Sequence, residues 1–147
     1  MQTHYALPIS FGKLMRKEIA ATCDLLESVR QHVFLILVTR FGENSYDPQY
    51  GCELWEYDFE HPAVLDGRKN LFIQSIKSVL EQQEPRLGKI NVKMIIDTQE
   101  FFSRFNPKQP RVKKKVSITI TGTLKETNQA FQPPAFVIYF SPVSIQQ

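Results

Sequence analysis

The residues best suited to polar chemistry are Glu84 and Arg86, which are separated only by Pro85. Proline disfavours helical geometry in the residue before it, so the motif is expected to end a helix. Because Pro85 restricts the backbone between two opposite charges, it holds the carboxylate and the guanidinium in a limited range of relative positions. The residues alone allow two interpretations: a helix stop flanked by solvated charges, which general physics favours, or a preorganised charge pair for a partner.

Paired carboxylates are a second possible chemistry, because many glycosidases cleave sugars with two acids. Four acids between 53 and 60 are candidates. They belong to residues 41–66, which contain seven acids and no lysine or arginine, and in which aromatic residues alternate with the acids. Glycine and proline interrupt this stretch, which predicts a long structured loop with one or two short elements. A solvated acidic face is the simpler interpretation, and a peptidoglycan-cleaving muramidase is the alternative. The four acids are Glu53, Glu56, Asp58 and Glu60.

A basic segment offers a third chemistry, since residues 101–125 contain seven lysines and arginines and no acid. Arg111 and residues 113–115 would suit phosphates, with phenylalanines nearby for base stacking, so a nucleic-acid module using 104–115 is an alternative function. Lysines at a strand entrance also discourage edge-to-edge pairing, and a solvated or protein-facing patch is favoured. The net charge of +3 arises from this local patch and not from basic residues along the whole chain. This distribution argues against a histone-like protein that binds nucleic acid over its entire surface.

Metal, cofactor and nucleophile motifs are absent from the sequence. The histidines lie far apart, and none has the spacing of a metal site. His32 lies on a predicted helix and is expected to be packed or half-exposed. Cys23 and Cys52 form no CxxC motif, and reduced thiols in a cytosolic protein are favoured over a disulfide. We therefore predict no catalytic residue, metal or cofactor, no signal peptide, and no membrane-spanning segment.

The elements that must position these residues follow from periodicity. Apolar residues at helical spacing predict a helix from Thr22 to Arg40 and a second from Asp66 or Gly67 to Gln83. Alternating apolar residues predict three strands, within 90–96, 116–120 and 136–140. The predicted fold class is α+β, a single domain over 1–147 with an N-terminal arm at 1–20. Its N-terminal helices pack in two layers on a small antiparallel three-stranded C-terminal sheet.

The order of three motifs resembles a known family. Thr39-Arg40-Phe41-Gly42-Glu43 ends the first helix, Pro48, Tyr50, Gly51 and Leu54 follow, and Glu84-Pro85-Arg86 ends the second. This order, over roughly residues 20–140, resembles the baseplate-wedge family often labelled lysozyme-like, found in contractile phage tails and as TssE in type VI secretion systems. The family usually has proline where this chain has Phe41.

The resemblance implies a non-enzymatic structural component of a contractile injection machine, which clamps larger wedge subunits and helps to start sheath assembly. Its implied partners are TssF-, TssG- and TssK-like wedge subunits and the sheath protein, with no nucleic acid and no membrane insertion. The implied location is cytoplasmic, within a baseplate docked at the inner membrane. The lysozyme label is not taken as an activity, because no supporting acid pair is found in the sequence.

The resemblance also assigns the residues that bind partners. Glu84 and Arg86, spaced by Pro85, would form charge-assisted bonds to a partner, and such bonds are stronger than neutral ones. The lysine run at 113–115 is not a family feature and would adapt this member to its own neighbours. The predicted partner-binding residues are Glu84, Pro85, Arg86, Lys113, Lys114 and Lys115.

Overall fold

The computed structural model describes residues 3–57, 62–140 and 143–144. Helices and strands alternate at first, and a run of strands ends the chain. The helices are α1 (Phe11–Met15), α2 (Leu25–Val38), a 3-10 helix (Glu53–Tyr57), α3 (Pro62–Gly67) and α4 (Lys69–Gln83). The strands are β1 (His4–Tyr5), β2 (Thr22–Cys23), β3 (Leu87–Ser103), β4 (Asn106–Leu124), β5 (Ala130–Phe131), β6 (Phe136–Tyr139) and β7 (Val143–Ser144).

Helix α2 confirms the first predicted helix, with a later start. The carboxylate of Asp24 accepts a hydrogen bond of 2.8 Å from the backbone N–H of Glu27, which caps the helix. Thr22 lies outside the helix, because it pairs in β2 with Tyr5 of β1. This small two-stranded sheet was not predicted. The helix buries four residues at helical spacing: Val29, Val33, Ile36 and Leu37.

The second predicted helix is divided in the structure. Helix α3 occupies part of the predicted loop and ends at Gly67, and α4 begins after a turn at Arg68. Helix α4 buries Phe72, Ile76 and Leu80, the face that the sequence predicted. It ends at Gln83, two residues before Pro85, as expected from the clash of proline with a helical residue before it.

The sheet is antiparallel as predicted, but the prediction of a simple three-stranded sheet is wrong. Strands β3 and β4 have 17 and 19 residues and form one long hairpin that pairs from Leu87–Leu124 to Ser103–Asn106. Residues 106–110 belong to β4 although they include Pro107 and Pro110. Antiparallel strands tolerate proline at positions where no ladder N–H is needed.

The other edge of β4 pairs with three short strands in succession. Strand β5 pairs at Gly122–Thr123, β6 at Lys115–Ile118, and β7 at Arg111–Val112. The predicted third strand corresponds to β6 alone. Pro133 and Pro134 lie between β5 and β6, where they offer no N–H to the ladder, and they interrupt the pairing.

One hydrophobic core lies between the helices and the inner face of the sheet. Side chains of α2 and α4 meet the inward residues of β3, β4 and β6, such as Met94, Ile118 and Ile138. Helices therefore form one layer and the hairpin the other, as predicted. Among the described residues, no helix has the length and apolar composition needed to span a bilayer.

Candidate functional site

The Glu-Pro-Arg corner, defined as Glu84, Pro85 and Arg86, turns the chain from α4 into β3. The backbone N–H of Glu84 still bonds to the carbonyl of Leu80 at 2.9 Å, so Glu84 closes the last turn of the helix. Its carbonyl then accepts a bond of 3.3 Å from the N–H of Leu87, the first residue of β3. The side chain of Glu84 is only 1% exposed, whereas Pro85 lies on the surface.

Both oxygens of the Glu84 carboxylate bind Arg86. Oε1 accepts from Nε of Arg86 at 2.8 Å and from its backbone N–H at 3.2 Å. Oε2 accepts from Nη2 at 2.9 Å, which makes the pair bidentate. Oε2 also lies 2.6 Å from Nδ1 of His32 on α2. The buried carboxylate is therefore fully engaged inside the protein.

Helix α2 holds the other side of Arg86. Nη1 of Arg86 donates to the hydroxyl of Ser28 at 2.9 Å. Ser28 and His32 are four residues apart and therefore lie on one face of α2. The Arg86 side chain remains 31% exposed, so the guanidinium is fixed and still presents an edge to solvent.

The charged groups of the site shift one another's pKa. Burial alone would raise the pKa of Glu84, but its bonds to His32 and Arg86 outweigh that effect and lower the pKa from 4.5 to about 2. The same carboxylate raises the pKa of Arg86 through their hydrogen bonds. Tyr50 packs on His32 with ring centroids 5.9 Å apart, and burial followed by the charge of Glu84 raises its pKa. Glu84 is therefore an anion over the whole ordinary pH range.

The loop after α2 is tied back against the end of that helix. The N–H of Cys52 donates to the carbonyl of Thr39 at 2.8 Å, and the N–H of Gly42 donates to the carbonyl of Pro48 at the same distance. Gly51 has a φ of 129°, and a Cβ atom there would lie 2.6 Å from the carbonyl oxygen of Thr39. Only glycine fits this close approach.

The same loop contacts the corner. Gln83, the last residue of α4, donates from Nε2 to the carboxylate of Asp47 at 3.2 Å, and Tyr50 covers His32. Trp55 donates from Nε1 to the carbonyl of Leu37 at 2.7 Å, which satisfies an open carbonyl in the last turn of α2. The first two motifs of the sequence thus fold into a support for the third.

The three lysines of the basic segment do not lie together. Lys113 is exposed, with Nζ 5.1 Å from the ring centre of Phe101 and 5.8 Å from that of Tyr139. Lys114 is 0% exposed and faces inward, with Nζ 5.7 Å from the ring centre of Phe140. Strand alternation explains the split, because neighbouring side chains point to opposite faces of a sheet. Lys115 is half-buried on the outer face.

A sequence model of the family described as baseplate wedge protein gp25 matches residues 23–129, which contain α2, α4, the corner and the long hairpin. The chain belongs to this family. The resemblance predicted from the motifs is thereby confirmed. Among related proteins, baseplate wedge protein gp25 of Enterobacteria phage T4 is 31% identical over 70 residues, covering 48% of this chain and 52% of that protein. The match therefore spans about half the length of that phage protein.

A solved structure is also similar to this wedge-family chain. It is a crystal structure of a Geobacter sulfurreducens protein provisionally described as a tail lysozyme. The sequences are 17% identical, the TM-score is 0.49, and the match covers 88% of this chain and 98% of that chain. A likeness at this level says nothing about activity.

Two residues of the site, His32 and Ser28, were not predicted from the sequence to belong to it. His32 is half-buried as expected, but its bond to Glu84 was not predicted, and Ser28 was not considered. The available signal was a pair of polar residues four apart on a helix face that is otherwise apolar. Such a pair indicates a buried polar partner brought from elsewhere in the chain.

The other candidate residues from the sequence are the acids between 53 and 60 and the two cysteines. In the acidic stretch, Glu53 is half-buried and Glu56 is exposed, whereas Asp58 and Glu60 lie outside the described residues. Cys52 is buried, which raises the pKa of its thiol to about 11, and Cys23 is half-buried; both are free thiols, as expected. Within the described part of the chain, no group of three or more potential ligands is arranged for a metal ion.

Proposed function

We propose that this chain is a non-enzymatic structural component of the baseplate of a contractile injection machine, of the TssE type. In this role it clamps larger wedge subunits and helps to start sheath assembly. Membership of the baseplate wedge family supports the proposal. The observation that carries it is the fixed guanidinium of Arg86, which a buried carboxylate and Ser28 hold at the surface.

Arg86 is suited to bind an acceptor on a partner. Of its five N–H groups, three are used by Glu84 and Ser28, which leaves two that find no acceptor in the described part of the chain. Because the side chain is already ordered, little further entropy is lost when a partner docks. A backbone carbonyl or a carboxylate on the partner would form charge-assisted bonds to these groups.

The three residues of the Glu-Pro-Arg corner therefore have different roles. Arg86 and Pro85 contact the partner, and Glu84 acts as a positioning residue because its own surface is buried. Lys113 and Lys115 lie on the outer sheet face and supply a second contact, to a different neighbour. Lys114 is 0% exposed, so it does not contact a partner directly as the sequence had predicted. The partners are TssF-, TssG- or TssK-like wedge subunits and the sheath protein, in a cytoplasmic baseplate docked at the inner membrane.

The test is reconstitution of the full chain with the wedge and sheath subunits of its own machine. We expect Arg86→Ala to remain folded, to lose co-purification with the wedge subunits, and to support no sheath polymerisation. Arg86→Lys keeps the charge but not the planar fork, so it should also remain folded and should restore assembly only in part. Arg104→Ala, at the exposed hairpin turn, is the control and should assemble as wild type.

Two outcomes would overturn the proposal. If the Arg86→Ala and Arg86→Lys variants are folded and assemble normally, the corner has no role in assembly. Lysis of purified peptidoglycan by the wild-type protein would remove the non-enzymatic part. Fluorescence of the single tryptophan, Trp55, reports whether each variant is folded, because its ring packs on Phe140 with centroids 5.2 Å apart.

A further inference from the structure

A groove beside the Glu-Pro-Arg corner collects positive charge from three separate elements. It has a volume of about 290 Å³ and lies between the second half of α4, the start of β3 and the end of β4. Lys77 comes from α4, Lys89 from β3, and Lys125 directly follows β4. We call it the lysine groove. Its lining residues are Lys77, Glu81, Leu87, Gly88, Lys89, Ile90 and Lys125.

The backbone at the groove is shaped by a bulge in β3. Gly88 pairs with Thr123 and Asn91 with Thr121, so two residues of β3 stand opposite the single residue Gly122. One of these two is Lys89, which has a φ of 51°, in the left-handed region that side chains rarely adopt. Bulges of this kind re-aim a side chain out of the regular alternation. This irregular backbone determines the direction of the Lys89 side chain, which is exposed.

Two glycines allow the groove to form. A Cβ atom on Gly88 would lie 3.2 Å from Cε of Lys125, so the absence of a side chain lets Lys125 lie across the strand. A Cβ atom on Gly122 would lie 2.7 Å from the carbonyl oxygen of Gly88. Glycine at both positions therefore keeps β3, β4 and the side chain of Lys125 close together.

The lysines of the groove are not neutralised within the described residues. None of Lys77, Lys89 and Lys125 forms an ion pair there, and Glu81 is the single acid of the lining. The groove thus has an excess of two positive charges. It is also continuous with the corner, because the N–H of Lys125 donates to the carbonyl of Arg86 at 2.9 Å.

We infer that the lysine groove binds an acidic segment of a partner protein. Carboxylates of such a segment would pair with the lysines, while its backbone N–H groups would pair with Glu81. A nucleic acid fits less well, because its phosphates would be repelled by Glu81 and the lining contains no aromatic side chain for base stacking. The inference rests on the proposed function in that the groove extends the docking surface of the corner.

The experiment measures binding of the full chain to a fluorescein-labelled peptide of alternating glutamate and glycine, by anisotropy at low and at physiological salt. A Lys77→Gln/Lys125→Gln variant should bind about tenfold more weakly, a loss of the size expected for two charge contacts. Lys13→Gln/Lys93→Gln removes the same charge at exposed positions elsewhere, and we expect binding close to that of wild type. The same peptide with glutamine should not bind.

Three outcomes would overturn the inference: no binding of the glutamate peptide to wild type, an equal loss in both double variants, or tighter groove-dependent binding of single-stranded DNA. A Lys89→Asn/Lys125→Gln variant is a second test if the first fails to fold, since asparagine tolerates positive φ. The peptide assay uses the chain alone. Its failure would therefore leave an assembly defect of Arg86→Ala, and the proposed function, in place.

Discussion

Nδ1 of His32 lies 2.6 Å from Oε2 of Glu84, although the two residues are 52 positions apart in the chain. His32 belongs to α2, and Glu84 closes the end of α4. The carboxylate therefore joins the two helices at one point while it holds Arg86 on its other side. Glu84, whose side chain is buried, therefore determines the position of Arg86, whose side chain reaches solvent.

Removal of the charge on Glu84 should destabilise the fold. In Glu84→Gln the amide cannot accept the same bonds from Arg86 and His32, and its own NH₂ group faces these donors. We expect the free energy of unfolding to fall by about 2 kcal/mol, since a hydrogen bond to a charged group contributes ~1.5–3 kcal/mol. Urea unfolding followed by Trp55 fluorescence measures the change.

The matched control for this variant is Glu81→Gln, which changes an exposed carboxylate one turn earlier on α4. It should lie within about 0.5 kcal/mol of wild type, as is usual for surface substitutions. Equal stability of the two variants would show that the buried network contributes nothing to the fold.

Stability should depend on pH through Glu84. Its pKa is about 2 in the folded protein against an ordinary 4.5, so the folded state favours the ionised form. A lowered pKa gives a contribution that is complete above the unfolded pKa and is lost as the pH falls through the folded one. We therefore expect wild type to lose stability between pH 4.5 and about 2.

The comparison must be with Glu84→Gln, because only the difference between the two proteins reports on this one carboxylate. Unfolding free energies of both proteins are measured in urea from neutral pH down to about pH 2.5. The difference between wild type and the variant should shrink as the pH falls. A difference that stays constant over this range would contradict a lowered pKa for Glu84.

Gly51 should be the glycine least tolerant of alanine. Its φ of 129° strains any side chain, and the new Cβ would meet the Thr39 carbonyl oxygen at 2.6 Å. We expect Gly51→Ala to cost about 2 kcal/mol or more, because strained backbone positions cost roughly 1–3 kcal/mol before any clash. Thermal unfolding of the variant measures the loss.

Two other glycines separate the causes of this loss. Gly42 has a φ of 79° with no atom within 4 Å, so Gly42→Ala isolates the backbone strain. Gly67 has no such φ and no near atom, and Gly67→Ala should lie within about 1 kcal/mol of wild type. A Gly51→Ala variant as stable as Gly67→Ala would show that the loop does not hold this conformation.

Hydrophobic periodicity was sufficient to predict α2, α4 and the central parts of β3, β4 and β6. Val29, Val33 and Ile36 follow the helical period, and Met94 and Ile118 follow the period of two in strands. Such patterns are local, because each residue's spacing to its neighbours determines the face it occupies. The order of the three motifs was likewise readable in the sequence and identified the family.

The length of the hairpin and the number of strands were not predictable in this way. Pro107 and Pro110 locally signal a turn, but β4 continues through both of them, and Pro110 pairs with Phe102 of β3. Whether a proline interrupts a strand depends on whether its missing N–H faces a partner. That condition is set by the register with a neighbouring strand.

The composition of the site was decided by tertiary structure. The motif Glu84-Pro85-Arg86 is visible in the sequence, but Ser28 and His32 join it only when α2 packs beside the end of α4. The burial of Glu84 arises in the same way. Helix packing removes its carboxylate from water, and a buried charge must find its bonds inside the protein. The sequence determined which charges are present, and long-range packing determined which of them are buried and which reach solvent.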